Sequence, residues 1–350
     1  MTHKTLFSKE SPVFIIAEMS ANHDRDFDRA VDIIKAAAEA GADAIKLQTY
    51  TPDTITMDCD SDLFTIKGTI WEGRTLYDLY GEAYTPWEWH GPLKKVADDL
   101  GLVFFSTPFD FTAVDFLEEL DVPCHKIASF EMVDIPLIRK VASTGKPVIM
   151  STGMATEEEI EEAVAAFRDA GGTELALLKC TSAYPAPPEE MNLRTIPYLA
   201  ERFNVTAGLS DHTLGIEIPI AAVAAGAQVI EKHFCLNRGE DGPDTSFSLE
   251  PAEFKAMVEG VRKVEKALGT IHFSVTSKQK DSTRFRRSLF VVRDMEAGET
   301  FTPETVRSIR PGDGLHTRHY EEVLGRQATR ALKKGEPLDW DMVKHNDNKH

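Results

Sequence analysis

The chain has 350 residues, of which 42% are hydrophobic and 27% charged, so it can bury a sizeable core and hold one large domain plus a small one. Its 57 acidic and 39 basic residues give a formal charge of −18, which disfavours nucleic acid and anionic membranes as partners because both are polyanions. Four widely spaced cysteines, an N-terminus without a signal-peptide pattern and the lack of an apolar stretch long enough to span a bilayer predict a cytoplasmic protein with reduced thiols.

Eight short runs rich in β-forming residues follow one another along most of the chain, with segments of helical periodicity between them. We predict strands at 13–18, 43–49, 102–107, 124–129, 147–152, 175–181, 205–210 and 228–234. Runs that are apolar on both faces and alternate with helices indicate a parallel sheet, and eight such units match the (β/α)8 TIM barrel. A doubly wound open sheet is the structural alternative. It is disfavoured because no Gly-rich dinucleotide fingerprint follows the first strand.

Local signals support this division into strands and helices. Thr156 with Glu159 three residues later has the spacing of a capping box, and an earlier helical pattern stops at Gly41. The long segment 50–85, which follows the second strand, is an insertion rich in aromatic residues. We expect it to form part of a lid or substrate loop.

The sequence changes character after Gly269. Residues 271–287 are polar and basic and are predicted to be a linker between a barrel domain, 1–270, and a second domain, 288–350. In the second domain the alternation of strands and helices stops, and short strands with turn signals replace it. The size of this domain, about 60 residues, is near the limit at which a single core is stable, so we expect it to pack on the barrel or on a second subunit.

Polar residues cluster at the C-terminal ends of the predicted strands, where TIM barrels carry their active sites. They are Glu18, Lys46, Gln48, Ser106, Thr107, Lys126, Ser129, Ser151, Thr152, Thr181, Ser210, His212, Glu231 and His233. The strand starts contain almost nothing polar. This asymmetry predicts a functional site at one end of the barrel.

Side-chain alternation groups some of these residues, because residues i and i+2 share a face of a strand. It pairs Lys46 with Gln48, Ser210 with His212, and Glu231 with His233. Strands seven and eight are neighbours in a closed barrel, so the two histidines can converge. Two imidazoles can bind a divalent transition metal if water or substrate completes the shell, and a hydrogen-bonded structural role stays open.

The two strand lysines also need partners, since lysine is rarely buried unpaired. Lys126 is expected to pair with a carboxylate such as Glu131 or to meet an anionic ligand, and Lys46 is in the same position. Two inward lysines beside several hydroxyls form a cradle for phosphate or carboxylate. A Schiff base on one of the lysines stays open.

Nine motifs in chain order resemble the sialic acid synthase family, a TIM barrel followed by a C-terminal antifreeze-like SAF domain of β-clip type. They are AEMSANH (17–23), GADAIKLQTYTPD (41–53), FFSTPFD (104–110), HKIASFE (125–131), STGMAT (151–156), KCTSAYP (179–185), GLSDHT (208–213), VIEKHF (229–234) and SIRPGDGL (308–315). The resemblance covers almost the whole chain, including both predicted domains. It departs from the family at Ser182, where neuraminate-making members often have Asn, and at residues 24–26, DRD, which replace a Gly-containing turn.

The resemblance implies a transferase that condenses phosphoenolpyruvate with an N-acetylated amino sugar to a nine-carbon 2-keto acid and phosphate. Phosphoenolpyruvate would be held by Lys46, Thr107, Lys126, Ser129, Ser151 and Ser210. The sugar would be contacted by Glu18, Gln48, Tyr184, Asp244 and Arg310, the last of these from the partner subunit of a domain-swapped homodimer. The catalytic side chains would be Glu18, Lys126, Glu131 and Glu231, of which Glu131 or Glu231 would manage the protons.

The same resemblance implies a divalent metal ion, typically Mn²⁺, with Mg²⁺ or Co²⁺ as alternatives, held by His212 and His233. The expected sugar is 2,4-diacetamido-2,4,6-trideoxy-L-altrose, and N-acetylmannosamine or a diacetamido-trideoxy-mannose stays open. A Schiff-base aldolase and a non-catalytic carbohydrate- or ice-binding protein are the rival functions.

Overall fold

The computed structural model describes residues 6, 7, 11–68, 71–240 and 242–345. The chain divides into two compact units, residues 1–269 and 270–350. Among the described residues, each helix is too short or too polar to cross a membrane. Cys124, Cys180 and Cys235 are buried free thiols, and Cys59 is a partly exposed one.

Eight parallel strands of the first unit close into a barrel, because each strand pairs with the next and the last pairs with the first. They are β1 (Phe14–Glu18), β2 (Ala44–Thr49), β3 (Val103–Pro108), β4 (His125–Ile127), β5 (Val148–Ser151), β6 (Leu175–Cys180), β7 (Thr206–Asp211) and β8 (Val229–His233). The predicted TIM barrel is therefore confirmed. The open sheet is excluded, since its first and last strands would be unpaired edges.

Helices follow the strands and cover the outside of the barrel. Their bounds are α1 (Phe27–Ala40), α2 (Pro52–Ile55), α3 (Leu76–Ala83), α4 (Trp87–Asp99), α5 (Phe111–Glu119), α6 (Ile135–Ala142), α7 (Glu157–Asp169), α8 (Thr195–Phe203), α9 (Glu217–Ala224) and α10 (Pro251–Leu268). Neighbouring residues of a strand, such as Ile15 and Ile16 in β1, are both fully buried. One face of each strand thus packs inside the barrel and the other packs against the helices.

The predicted helix ends match their local chemistry. Thr156 caps α7 and Glu159 reaches back to the main-chain N–H of Thr156, which completes the capping box. Gly41 ends α1 in the left-handed region at φ 89°, where a side chain would be strained. Both helix ends therefore lie where the local sequence predicts them.

The insertion between β2 and α4 contains α2 and α3, joined by an irregular segment. Thr65 and Thr75 form an isolated antiparallel bridge, and the rings of Tyr50 and Tyr80 meet edge to face at 5.5 Å. Arg25 Nη1 donates to the carbonyl of Gly81 at 2.9 Å, which connects α3 to the loop after β1. The insertion is thereby held against the C-terminal end of the barrel.

The second unit has its own small core. It contains α11 (Ser277–Lys280), β9 (Ser288–Val291), β10 (Val306–Ile309) and α12 (Tyr320–Val323), and β9 pairs antiparallel with β10. Its buried side chains include Leu289, Val291, Phe301 and Val306. Residues 271–287, predicted to be a linker, contain α11 and a 3-10 helix, Asp281–Phe285. The limits 1–270, 271–287 and 288–350 remain a prediction from the sequence.

Candidate active site

Strand register brings reactive side chains to one level at the C-terminal end of the barrel. Glu18 of β1 lies opposite Lys46 of β2 on one side and His233 of β8 on the other. Ser210 of β7 lies opposite Glu231 of β8. These residues are at or near the ends of their strands, so they line the mouth at which TIM-barrel enzymes carry out their chemistry.

Two lysines and two glutamates form a buried group in this mouth, which we name the inner cluster: Glu18, Lys46, Lys126 and Glu231. Lys46 Nζ lies 2.6 Å from Glu18 Oε2 and 3.8 Å from Glu231 Oε2. Lys126 Nζ lies 3.4 Å from Glu231 Oε1. Among the described residues, nothing donates a hydrogen bond to Glu231 Oε2. Glu231 thus lies close to two ammonium groups, and its Oε2 can accept a further hydrogen bond.

Hydroxyl groups surround the inner cluster. Thr107 Oγ1 accepts from Lys46 Nζ at 3.3 Å, and Ser151 Oγ accepts from Lys126 Nζ at 2.7 Å. Ser210 Oγ donates to Oε1 of the shared glutamate at 3.0 Å. Ammonium and hydroxyl donors that converge on one space are suited to an anion with several oxygens, such as a phosphate or a carboxylate.

The loop after β5 closes this rim. The main-chain N–H of Gly153 donates to Ser129 Oγ at 3.2 Å. A Cβ at position 153 would stand 2.2 Å from Ser182 Oγ and 2.7 Å from Ser129 Oγ. Glycine is therefore required here for the close approach of the two serines.

Burial and mutual attraction act in opposite directions on the charges of the inner cluster. Burial raises the pKa of Glu18 to about 7, although the ammonium of Lys46 opposes this. Burial would also raise the pKa of Glu231, but Lys126 and Lys46 together hold it below its usual value. Burial lowers the pKa of Lys126. The pKa of Lys46 is raised, because the two carboxylates outweigh its burial.

A chain of hydrogen bonds extends from Glu18 along the mouth. Gln48 Nε2 donates to Glu18 Oε1 at 3.3 Å and to Ser20 Oγ at 3.0 Å. Ser20 Oγ in turn donates to Asp244 Oδ2. Burial raises the pKa of Asp244. Ser20 was not among the predicted site residues, although it lies in the AEMSANH motif directly after β1.

The two histidines meet next to the inner cluster. The ring centroids of His212 and His233 are 5.3 Å apart. His212 Nδ1 donates to the carbonyl of Thr181 at 3.1 Å, so the lone pair of the neutral ring is on Nε2. Burial would lower the pKa of His212, but its hydrogen bond with Cys180 outweighs burial, so this pKa is raised. Burial lowers the pKa of His233 well below its usual value, so its imidazole is neutral.

These observations fit a divalent metal ion. His233 Nδ1 is buried and, within the part of the chain that is described, has no hydrogen-bond partner. Neutral imidazoles with free nitrogens are the form that binds Zn²⁺ or Mn²⁺. Over the described residues no group of three or more His, Cys, Asp or Glu side chains could hold a metal. The two histidines would therefore share an ion with water or substrate.

Aromatic rings line one side of the mouth, and we name Trp71, Tyr184 and Phe247 the aromatic wall. The ring centroids of Trp71 and Tyr184 are 6.1 Å apart, and those of Tyr184 and Phe247 are 5.2 Å apart. Tyr184 lies 4.5 Å from the His212 ring, and Phe247 lies 5.0 Å from the His233 ring. The insertion thus contributes a side chain to the site, through a contact that sequence periodicity could not indicate.

Glu131 lies in the 3-10 helix that follows β4. It is half-buried, and burial raises its pKa to about 7 against the attraction of Lys126. Its Oε2 is buried, and no described residue donates a hydrogen bond to it. The direct carboxylate partner of Lys126 is Glu231, whereas the sequence had suggested Glu131. The reason is that inward side chains of distant strands meet across the barrel interior.

Not every polar residue at a strand end faces the mouth. Ser106 Oγ lies 2.6 Å from Thr49 Oγ1 in a hydrogen-bonded pair. The hydroxyls of Thr152 and Thr181 each donate to a main-chain carbonyl at 3.1 Å. These three contacts stabilise the strand ends and the loops that follow them.

Arg310 is the one sequence-predicted site residue outside the first unit. It follows β10, and its predicted contact with the sugar stays a prediction. All other predicted site residues belong to the barrel unit. Asp211 and Lys232, which were not predicted as functional, form a fully buried ion pair on the opposite face of β7 and β8.

The fold and the mouth define a TIM-barrel protein with a buried cluster of lysines and glutamates, a pair of histidines and a small appended domain. Residues 33–273 match the NeuB family, and residues 286–344 match the SAF domain. The chain belongs to the NeuB family. This confirms the resemblance inferred from the motifs.

Three proteins illustrate the similarity. The chain is 47% identical over 332 residues to the pseudaminic acid synthase of Campylobacter jejuni, an overlap of 95% of this chain and 97% of that one. It is 38% identical to the N,N'-diacetyllegionaminic acid synthase of the same species, over 92% of this chain and 97% of that one. The solved structure of an N-acetylneuraminic acid synthetase from Leptospira borgpetersenii is 34% identical, with a TM-score of 0.69 over 78% of this chain and 90% of that one.

Proposed function

We propose that the protein condenses phosphoenolpyruvate with 2,4-diacetamido-2,4,6-trideoxy-L-altrose, forming pseudaminic acid and inorganic phosphate. The observation that carries the proposal is the inner cluster with its surrounding hydroxyls, in a chain 47% identical to a pseudaminic acid synthase. The protein is thus a transferase that forms a carbon–carbon bond.

Phosphoenolpyruvate would occupy the space between the two lysines. Lys46 and Lys126 would hold its phosphate and carboxylate, together with Ser129, Ser151, Ser210 and Thr107. Their convergence in a buried site supports this role, because charge-assisted hydrogen bonds strengthen where water is excluded. The bound anion would replace the present partners of the ammonium groups.

The sugar would lie over the inner cluster, between the hydrogen-bonded chain and the aromatic wall. Gln48, Glu18 and Asp244 offer acceptors and a donor for hydroxyl and acetamido groups, and they already lie in one chain through Ser20. Tyr184 would add a ring face and a hydroxyl. Arg310 of the partner subunit would complete the sugar site in a domain-swapped homodimer.

His212 and His233 would hold a divalent metal ion, with Mn²⁺ as the expected ion and Mg²⁺ or Co²⁺ as alternatives. When bound, the ion supplies Lewis acidity to the aldehyde oxygen of the open-chain sugar. The free Nε2 of His212 and the neutral imidazole of His233 support this assignment.

In the reaction, C3 of phosphoenolpyruvate attacks the aldehyde carbon, a water molecule adds at C2, and phosphate leaves with C–O cleavage. The aldehyde oxygen gains a proton and the attacking water loses one. Glu131, whose pKa is about 7, can give or take a proton near neutral pH. Glu231 stays ionised between two lysines and would hold them in place until phosphoenolpyruvate binds.

Two other sugar specificities are supported by relatives. A legionaminic acid synthase is 38% identical to the chain, and an N-acetylneuraminic acid synthetase is 34% identical. Their substrates would be a diacetamido-trideoxy-mannose and N-acetylmannosamine, respectively. A Schiff-base aldolase is favoured by one observation, the lowered pKa of Lys126, since a neutral amine is the nucleophile in such enzymes.

Phosphate release tests these functions together. The purified protein is incubated with phosphoenolpyruvate and each of the three sugars, with Mn²⁺ or with chelator. We expect release that depends on both the 6-deoxy altrose derivative and the metal. Faster release with another sugar would reassign the specificity. Borohydride trapping of substrate on Lys126 without phosphate release would instead support the aldolase.

A further inference from the structure

The faces of β7 and β8 that point away from the mouth carry a second buried ion pair, Asp211 with Lys232, which we name the outer pair. Lys232 Nζ lies 2.5 Å from Asp211 Oδ2, and both side chains are 0% exposed. Each residue immediately adjoins one of the two histidines in sequence. Because consecutive residues of a strand point to opposite faces, the outer pair lies behind the strands that carry His212 and His233.

The bonds of the outer pair enclose the main chain of His212. Asp211 accepts from the N–H of Thr213 at 3.1 Å and from its hydroxyl at 3.0 Å, which closes a tight turn around the histidine. Lys232 donates to Asp211 and also to the carbonyl of Thr213. Both neighbours of His212 are therefore bonded to the residue that precedes His233.

The position of the outer pair along the strands is informative. Asp211 and Lys232 are the last residues of β7 and β8 that are in register with each other, and His212 lies one residue past the end of β7. Beyond this point strand pairing no longer fixes the distance between the main-chain segments that follow β7 and β8. At the level of the histidines, the bonds of the outer pair connect these two segments instead.

Stability alone does not account for such a pair. A buried ion pair is often no more stable than apolar side chains of similar volume, because removing two charges from water offsets their attraction. What an ion pair adds is a defined geometry, since its hydrogen bonds permit few arrangements. A defined geometry has value where two ligands must be held at a set separation.

We propose that Asp211 and Lys232 are positioning residues that fix the separation of His212 and His233 and thereby set the affinity of this pair for a divalent metal ion. The proposal rests on the proposed function, in which the two histidines hold the metal. It extends that function to residues that touch neither substrate nor metal.

The test measures Mn²⁺ binding to the metal-stripped full-length protein, by the loss of the electron paramagnetic resonance signal of free Mn²⁺. The variants are Lys232→Met and the double variant Asp211→Asn/Lys232→Met, which leaves no unpaired buried charge. We expect each to bind Mn²⁺ about 10- to 100-fold more weakly than the wild type, the usual effect of losing an outer-sphere partner. Affinity for phosphoenolpyruvate, measured by calorimetry, should stay within about twofold, because the lysines and hydroxyls of the mouth are unchanged.

The control is Arg262→Met, which removes a partly exposed ion pair with Asp43 at the other end of the barrel. It should leave Mn²⁺ affinity within about twofold of the wild type. Wild-type Mn²⁺ affinity in the folded double variant would overturn the proposal, as would an equal loss of phosphoenolpyruvate affinity. A wild type that binds no Mn²⁺ but releases phosphate would overturn both this inference and the metal assignment, and would leave the condensation itself standing.

Discussion

The inner cluster lies in the mouth of the barrel and the outer pair lies on the opposite faces of β7 and β8, and the two groups use buried charge differently. In the outer pair, one ammonium meets one carboxylate, and the carboxylate is also bonded twice by Thr213. In the inner cluster, two ammonium groups share Glu231, whose Oε2 receives no hydrogen bond from the described part of the chain. The first arrangement is saturated and the second is not.

The comparison shows that buried ion pairs can serve two different purposes in one protein. A saturated network gives rigidity, and an incompletely satisfied one remains costly until another group completes it. In the proposed function, the anionic substrate would accept from the ammonium groups of Lys46 and Lys126 in place of Glu18 and Glu231. Five changes test this contrast, beginning with the largest expected effect.

His212→Ala should lower metal-dependent turnover about 10⁴-fold, because Lewis-acid polarisation of the aldehyde lowers the activation barrier by several kcal/mol. The fold should be retained, as the ring lies at the barrel mouth. Phosphate release with and without chelator measures the effect. His125→Gln, at the opposite end of the barrel, keeps a side chain able to bond Glu118 and serves as control. Full chelator-sensitive activity in His212→Ala would exclude the metal assignment.

Lys46→Met should lower kcat/KM for phosphoenolpyruvate about 10³-fold, since it removes a charge-assisted contact made in a buried site. Steady-state kinetics at saturating sugar measures this. The control is Lys35→Met, which removes an exposed lysine of α1 paired with Asp32 and should leave kcat/KM unchanged. An unchanged kcat/KM in Lys46→Met would contradict the role of the inner cluster.

The two lysines should differ in their effect on stability. Lys232→Met should lower the free energy of unfolding by about 3–5 kcal/mol, because it leaves Asp211 charged and buried. Lys46→Met should lower it by only about 1 kcal/mol, because Glu18, with a pKa already about 7, can take up a proton when its partner is lost. Urea unfolding of both variants at pH 7 compares them. Equal losses would remove the distinction between a saturated and an unsaturated network.

Glu131→Gln should lower turnover about 10²-fold if this carboxyl transfers a proton. It should also change the pH dependence of stability. Burial raises the folded-state pKa of Glu131 from 4.5 to about 7, so its stabilising contribution is complete below pH 4.5 and is lost as the pH rises through 7. The free energy of unfolding of Glu131→Gln, measured relative to the wild type by urea unfolding, should therefore rise by roughly 1–3 kcal/mol between pH 5 and pH 8.

The control for this change is Glu158→Gln, on the exposed surface of α7. It should alter neither turnover nor the pH dependence of stability. A Glu131→Gln variant with normal turnover but the expected stability gain would make Glu131 a buried structural acid rather than a catalytic one.

Trp71→Ala should have the smallest effect, about a tenfold loss of preference for the 6-deoxy sugar over N-acetylmannosamine. The physical reason is that methyl and acetyl groups pack on aromatic faces, and the aromatic wall would lose its outer ring. Ratios of kcat/KM for the two sugars measure this, and Trp71→Phe is the conservative control. An unchanged ratio would remove the wall from the specificity of the site.

Much of the barrel could be predicted because the signals for strands and helices depend on residues that are close together in sequence. Apolar runs, the capping box of Thr156 and the stop at Gly41 are each decided by neighbouring residues, and the structure places strands and helices accordingly. Alternation also pairs Ser210 with His212 on one face of β7, and the residue between them, Asp211, is on the other face. These inferences need only the period of a strand.

The sequence could not give the contacts that depend on distant strands. The pairing of Lys126 with Glu231 joins β4 and β8 across the barrel, and the contact of Trp71 with Tyr184 joins the insertion to the loop after β6. The ion pair of Lys232 could not be predicted, because a lysine beside a histidine at a strand end indicates a substrate contact as readily as a buried ion pair. Side-chain chemistry was therefore predictable, and partner choice was not.

Trp71 gives the mouth an optical property. Of the four tryptophans in the chain, this is the one in the aromatic wall, with its ring centroid 6.1 Å from that of Tyr184. Indole emission shifts with the polarity around the ring, so a sugar that displaces water from this surface changes the fluorescence of the protein. Binding of unreactive sugars could thus be followed in real time, without a label and without turnover.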